Sequence, residues 1–235
     1  MWAKPSTQQN TQLLKQRGVS LLEPDVGLQA CGETGAGRLM DVPNIVTALA
    51  SRFRTARLAG RHVVITAGPT REAIDPVRYI SNHSSGKQGY ALALAAIEAG
   101  ARVTLISGPT NINPPDRAAV VPVQSADEML GAVMSSIRDA DIFIGVAAIA
   151  DYKPVSVENQ KIKKSGGSAL TLDLVQNQDI LKTVANLENR PFTVGFAAET
   201  ENVIENARTK LTAKNLDMII ANDVADTSIG FNSDH

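Results

Sequence analysis

Cysteine is all but missing from this chain, which carries a single one, Cys31, in 235 residues. A lone thiol cannot close an internal disulfide, so the expected compartment is a reducing cytoplasm. Charge of one sign is not in excess either, with 23 Lys and Arg against 24 Asp and Glu. That balance leaves no electrostatic footprint for nucleic acid. Long apolar runs are absent: none approaches the roughly 20 residues that span a bilayer. No secretory signal opens the chain, and there is neither an internal repeat nor a low-complexity tract. What the chain does have is 43% hydrophobic residues, enough for a substantial core in one large domain or one domain plus a smaller piece.

The apolar pattern divides the chain. Ser6 to Arg17 reads as a helix closed by Gly18, Val19 to Leu22 as a short strand, and Pro43 to Phe53 as a second helix. Between them, Gly27, Gly32, Gly35 and Gly37 mark a segment too glycine-rich for regular structure, and it reads as a specific loop. The pattern changes at Arg54-Thr-Ala-Arg-Leu-Ala-Gly-Arg61, so the expected organisation is a unit 1–55, a linker 56–61 and a domain 62–235. In that domain β-type runs at His62–Thr66, Arg102–Ser107, Val120–Val123, Ile142–Val146, Thr193–Phe196 and Met218–Ala221 are mostly separated by helical segments. This alternation predicts an α/β fold with a doubly wound, Rossmann-like, mainly parallel sheet. Between Asp151 and Asn177 the rhythm breaks. The period-2 alternation of Leu170-Thr-Leu-Asp-Leu-Val175 and the Ser165-Gly-Gly-Ser168 turn predict a β-hairpin flap.

The stretch from Val63 to Gly89 points to chemistry. The strand Val63–Ile65 stops at Thr66-Ala67-Gly68-Pro69, a long polar turn follows, and helical spacing resumes at Gly86 and runs to Gly100. Ser84, Ser85 and Gly86 therefore fall at a helix N-terminus, where free N–H groups and the helix dipole favour an anion. The first strand lacks G-x-G-x-x-G and its helix starts about 20 residues late, which weakens a dinucleotide site. Gly86-Lys87 is no P-loop, because position 81 is Ser and position 88 is Gln.

The ordered motifs Asp75-Pro-Val-Arg-Tyr-Ile-Ser-Asn-His-Ser-Ser-Gly86, Ala147-Ala-Ile-Ala-Asp-Tyr152, Lys161-Ile-Lys-Lys164, Gly195-Phe-Ala-Ala-Glu-Thr200, Lys214-Asn-Leu-Asp217, Ala221-Asn-Asp223 and Gly230-Phe-Asn-Ser-Asp234 resemble the phosphopantothenate-cysteine ligase half of the bacterial bifunctional coenzyme A biosynthesis flavoprotein. Upstream, Gln29-Ala-Cys-Gly-Glu33 and Gly37-Arg38 resemble the end of its phosphopantothenoylcysteine decarboxylase half, a flavodoxin-like domain. The resemblance implies that CTP activates 4'-phosphopantothenate as an acyl-cytidylate, which cysteine then attacks. It implies magnesium with the nucleotide, and FMN in the decarboxylase half.

Family positions for the nucleotide fall on Gly145, Val146, Ala147, Asp151, Lys161, Asn177, Gln178, Asp179, Ile180, Phe196, Lys210 and Lys214. Lys210 and Lys214 are spaced to project from one helix face, and Phe196 offers a wall for the base. Lys161 on the flap can meet charge developing on the reacting phosphate. For the acyl substrate, Asn82 is expected to position the intermediate, Arg78 to act as a fork donor, and Ala147 and Ala148 to present accessible backbone N–H groups. Without the resemblance the lysines would read as a solvated face, Phe196 as core and Asn82 as a turn former; His62 and His83 are read as structural.

Cys31 matches the family's decarboxylase proton donor. The flavodoxin-like body around it is missing, so Cys31 is expected to be idle and FMN not retained. At the other end the family continues beyond His235, and both ends suggest a fragment of a longer, homodimeric or higher-order parent. Two other readings stay open: an NAD(P)-dependent oxidoreductase, which shares the sheet, and a non-catalytic nucleotide-binding remnant.

Overall fold

The computed structural model describes residues 2–28, 32, 34–52, 56–163, 169–199 and 201–223, which form two compact units, Met1–Thr55 and Ala56–His235. The first unit opens with helix α1 (Pro5–Gln16), which has proline in its first turn and stops before Gly18 at φ +83°. Two strands follow, β1 (Asp25–Leu28) and β2 (Thr34–Arg38), and then helix α2 (Val42–Arg52). Two expectations are corrected here. Val19–Leu22 is not a strand, and the glycine-rich segment is a hairpin, with Val26 opposite Ala36, Gly27 opposite Gly35 and Leu28 opposite Thr34. Backbone pairing carries this hairpin. Backbone hydrogen bonds need no side chain, so glycines hide the strands without preventing them.

The second unit is built on six parallel strands. β3 (His62–Ala67) is followed by two short strands, β4 (Arg71–Ala73) and β5 (Tyr79–Ser81), and by helix α3 (Lys87–Glu98). Next come β6 (Arg102–Ser107), β7 (Ala119–Pro122), helix α4 (Ala126–Ser136) and β8 (Ile142–Gly145). A second hairpin, β9 (Tyr152–Pro154) with β10 (Leu174–Gln176), precedes helix α5 (Ile180–Ala185), β11 (Phe192–Glu199), helix α6 (Val203–Ala213) and β12 (Met218–Asp223). The sheet order is β12-β11-β8-β3-β6-β7, so the chain leaves β3 towards one edge and returns at β8 to build the other. That reversal makes a topological switch point between β3 and β8, where open α/β sheets bind ligands.

The β-branched runs form strands because both faces of the sheet are covered. Val63, Ile65 and Ala67 pack with Tyr90, Ala93 and Ile97 of α3, while Val64 packs on the other face with Met129 and Val133 of α4, Phe143, and Ile180 and Val184 of α5. The flap expectation holds in part. The hairpin is real, but its strand is Leu174–Gln176, and Leu170–Asp173 has no ladder partner among the described residues. The long polar turn after β3 contains the short β4–β5 hairpin.

Candidate active site

Loops at the carboxyl ends of β3 and β8 are stitched together by short polar groups. Thr66 Oγ1 accepts from Ala147 N at 3.3 Å, Ala148 N donates to Gly68 O at 2.9 Å, and Ala150 N donates to Thr70 Oγ1 at 3.0 Å. Asn82 joins them, its Nδ2 donating to Ile149 O at 2.9 Å. On the far side Asn177 closes the loop, with its N–H on Asp151 O and its Nδ2 on Ala150 O, both at 2.8 Å. The result is a cleft of about 210 Å³ at the switch point.

One wall is set by two glycines. Gly145 and Gly195 are cross-strand partners, and a Cβ on either would come within 2.9 Å and 2.7 Å of the Leu181 methyls. Their bareness lets α5 approach the sheet and carries Asn177, Gln178 and Asp179 to the cleft. Asp179 caps α5 by accepting from Lys182 N at 2.9 Å, and its other oxygen pairs with Lys214 Nζ at 2.9 Å. Partial burial opposes ionisation of Asp179, but the Lys182 N–H and the Lys214 ammonium outweigh it and hold the carboxyl below its usual range. Asn177 is 9% exposed, and its Oδ1 has no hydrogen-bond partner among the described residues.

Nine of the expected nucleotide residues line this cleft: Gly145, Ala147, Asp151, Asn177, Gln178, Asp179, Ile180, Phe196 and Lys214. Val146, Lys161 and Lys210 do not. Val146 packs on the opposite face of the sheet, within 3.3 Å of where a Cβ on Gly89 of α3 would lie. Lys214 is the residue after α6, and its N–H bonds Lys210 O at 3.0 Å, yet Lys210 lies outside the cleft lining. Thr66, Ile149, Ala150, Gln176 and Leu181 line the cleft without having been expected. Their signal in the sequence was only adjacency to motif residues.

The acyl-substrate residues are less open than expected. Ala148 N–H is taken by Gly68 O, so of the two alanine amides only Ala147, with its long 3.3 Å bond, keeps a weakly held donor. Arg78 is engaged as well: Nε and Nη2 donate to Asp75 Oδ2 at 2.9 and 2.5 Å, and Nη2 also donates to Ile162 O at 2.8 Å. At the helix start, Gly86 N and Lys87 N are met by Ser84 Oγ and Ser85 Oγ at 3.2 and 3.4 Å, so the expected anion cradle is partly self-filled. His62 bonds Thr104 Oγ1 at 2.9 Å, in keeping with a structural role. Cys31, Lys164, the Ser165–Ser168 turn and the Gly230–Asp234 motif lie outside the described residues.

The C-terminal domain of the DNA/pantothenate metabolism flavoprotein matches residues 58–235. The coenzyme A biosynthesis bifunctional protein CoaBC of Vibrio cholerae is 52% identical over 99% of this chain, and that of Escherichia coli K12 is 49% identical over 100%. The chain spans 59% of the length of each relative. A crystal structure of the C-terminal domain of a CoaBC protein superposes with a TM-score of 0.65 at 46% identity, covering 72% of this chain and 80% of that one.

Proposed function

The chain belongs to the DNA/pantothenate metabolism flavoprotein family, and from that premise we propose that its second unit joins 4'-phosphopantothenate to cysteine with CTP, as a step of coenzyme A biosynthesis. A carboxylate oxygen of 4'-phosphopantothenate attacks the α-phosphorus, and pyrophosphate leaves. The cysteine amine then attacks the acyl carbon, and CMP departs with that oxygen.

The observation that carries this reading is the cleft itself, at the switch point, with Phe196, the orphaned Asn177 Oδ1 and the Lys214–Asp179 pair on its lining. A buried acceptor without a partner costs about 1–3 kcal/mol, which an exocyclic amine on a base would offset. With the amide oriented by its bond to Ala150 O, Asn177 suits cytosine. Lys214 meets the polyphosphate by leaving Asp179, and Lys210 adds charge from the same end of α6. Gly145 and Ile180 shape the wall, Asp151 and Gln178 offer groups for the ribose, and Val146 holds the loop from beneath. Lys161 acts on the reacting phosphate, while Arg78, Asn82 and the Ala147 N–H serve the acyl end and Ala148, bonded to Gly68 O, holds the loop that presents them. Among the described residues no group of three or more His, Cys, Asp or Glu could hold a metal. That fits a magnesium ion carried by the triphosphate oxygens.

Residues 1–55 are assigned to the end of the FMN-dependent decarboxylase half, with Cys31 as its proton donor. Exposed Tyr152, Val155, Val157, Leu174 and Val175 on the flap hairpin support self-association. No helix among the described residues is long and apolar enough to cross a membrane, and a cytoplasmic location is proposed.

A pyrophosphate-release assay tests the reading: release from CTP should require 4'-phosphopantothenate and should not require cysteine. Thermal stabilisation by NADPH without pyrophosphate would favour an oxidoreductase instead. Stabilisation by CTP without pyrophosphate would favour a binding remnant.

A further inference from the structure

Asp75 is 2% exposed and lies in the turn between β4 and β5. Its Oδ1 accepts from Val77 N and Arg78 N, both at 2.8 Å, an ordinary turn-forming role for aspartate. Oδ2 does something a turn does not require. It accepts from Arg78 Nε and Nη2, and it reaches across the fold to Ile162 N at 3.1 Å. Arg78 Nη2 then donates to Ile162 O at 2.8 Å, so both backbone polar groups of this one flap residue are held by the Asp75–Arg78 pair. Close by, Glu158 N donates to Ile74 O at 3.0 Å. The first part of the flap is therefore fastened at its root.

Ile162 N–H belongs to the peptide unit that also contains the Lys161 carbonyl. Holding that unit fixes the position of Lys161 Cα and leaves the direction of its side chain to a single backbone torsion and its own rotamers. A carboxylate is costly to bury without donors, and this one is fully supplied. Burial opposes its ionisation, but the Arg78 guanidinium and the N–H groups of Val77, Ile162 and Arg78 outweigh this and keep it well below the usual carboxylate range.

We propose that Asp75 is a positioning residue: through Arg78 and the backbone of Ile162 it presets Lys161 against the reacting phosphate. The proposal rests on the ligase reading for the role of Lys161. Lys161 is outside the cleft lining of the free protein, so the fastened root sets the point from which its side chain reaches the nucleotide. Ordering the group before substrate arrives removes a cost from the chemical step.

Asp75→Asn tests this on the chain as it stands. Asparagine keeps one oxygen for Val77 and Arg78 but turns an NH₂ group towards the Ile162 N–H and the guanidinium. With fold retained by circular dichroism, single-turnover acyl-cytidylate formation should slow by about 10-fold or more while the dissociation constant for CTP changes by less than about 3-fold. In a Lys161→Gln background the same substitution should slow the reaction by less than about 2-fold, because its route of action is gone. Equal slowing in both backgrounds would overturn the proposal. Hydrogen exchange at the Ile162 amide needs no turnover: it should speed up by about 10-fold or more in Asp75→Asn. Unchanged protection overturns the clamp, whereas an unmodified chain that releases no pyrophosphate overturns the ligase reading alone. If Asp75→Asn does not fold, Asp75→Ser keeps a turn-forming oxygen for Val77 and Arg78 while deleting Oδ2, and should give the same slowing with the same non-additivity. Full activity in Asp75→Ser would likewise overturn the proposal.

Discussion

Replacing Lys214 with glutamine separates a binding role from a structural one. In the free protein Lys214 Nζ lies 2.9 Å from Asp179 Oδ2, with 33% and 39% of the two side chains exposed. An ion pair that open to solvent contributes about 0.2–1 kcal/mol. Asp179 keeps its cap on α5 through Lys182 N at 2.9 Å when the lysine is gone. The melting temperature of Lys214→Gln should therefore fall by no more than about 4 °C. A hydrogen bond to a charged group is worth about 1.5–3 kcal/mol, which alone would weaken triphosphate binding by about 10- to 150-fold. Because Lys214 must first give up Asp179, the lower end applies, and the dissociation constant for CTP should rise about 10-fold. Titration calorimetry with CTP and CMP reads it, and CMP should be affected less than CTP. An unchanged CTP constant in the folded variant would refute the role of Lys214 at the polyphosphate.

Four further outcomes follow from particular contacts. Asn82→Asp replaces the donor to Ile149 O with a carboxylate facing a carbonyl; it should still consume CTP but pass the acyl group to cysteine at least about 10-fold more slowly, and equal product formation would sink the assignment. Lys161→Gln should slow acyl-cytidylate formation by about 100-fold in single-turnover experiments, with little change in CTP affinity. A Cβ on Gly108 would lie 1.8 Å from Pro69 O, whereas one on Gly131 in α4 meets nothing within 4 Å; Gly108→Ala should cost about 3 kcal/mol in thermal denaturation, and Gly131→Ala should stabilise by about 0.5–1 kcal/mol. Asp75, Asp179 and Asp217 have lowered carboxyl values. Their contribution is present above the ordinary aspartate value of about 3.9 and is lost as pH falls through the lowered ones, so the melting temperature should be flat from about pH 7 to 5 and drop below about pH 4. An equal melting temperature at about pH 2.5 would contradict this.

β3 and β6 were legible because they are buried on both faces, and that burial demands a continuous apolar run rather than alternation. β1 and β2 were not, since Gly27 and Gly35 pair through their backbones and leave no side-chain pattern. β4 and β5, at three residues each, are too short for a period to show. In the cleft, the expected residues from Asn177 to Ile180 line one side because two glycines, one on each of two adjacent strands, admit Leu181 beside them. The partners of charged groups were not readable. Asp75 and Ile162 are 87 positions apart, and no local spacing rule links them, or Lys214 to Asp179. For the same reason Arg78 looked available in the sequence and is engaged in the structure.

The most direct test follows an oxygen atom. With 4'-phosphopantothenate labelled with ¹⁸O in its carboxylate, one labelled oxygen should appear in CMP when CTP and cysteine are turned over, because that oxygen bridges carbon and phosphorus in the acyl-cytidylate. Label found in pyrophosphate or inorganic phosphate, or product formed with unlabelled CMP, would contradict acyl-cytidylate chemistry at this cleft.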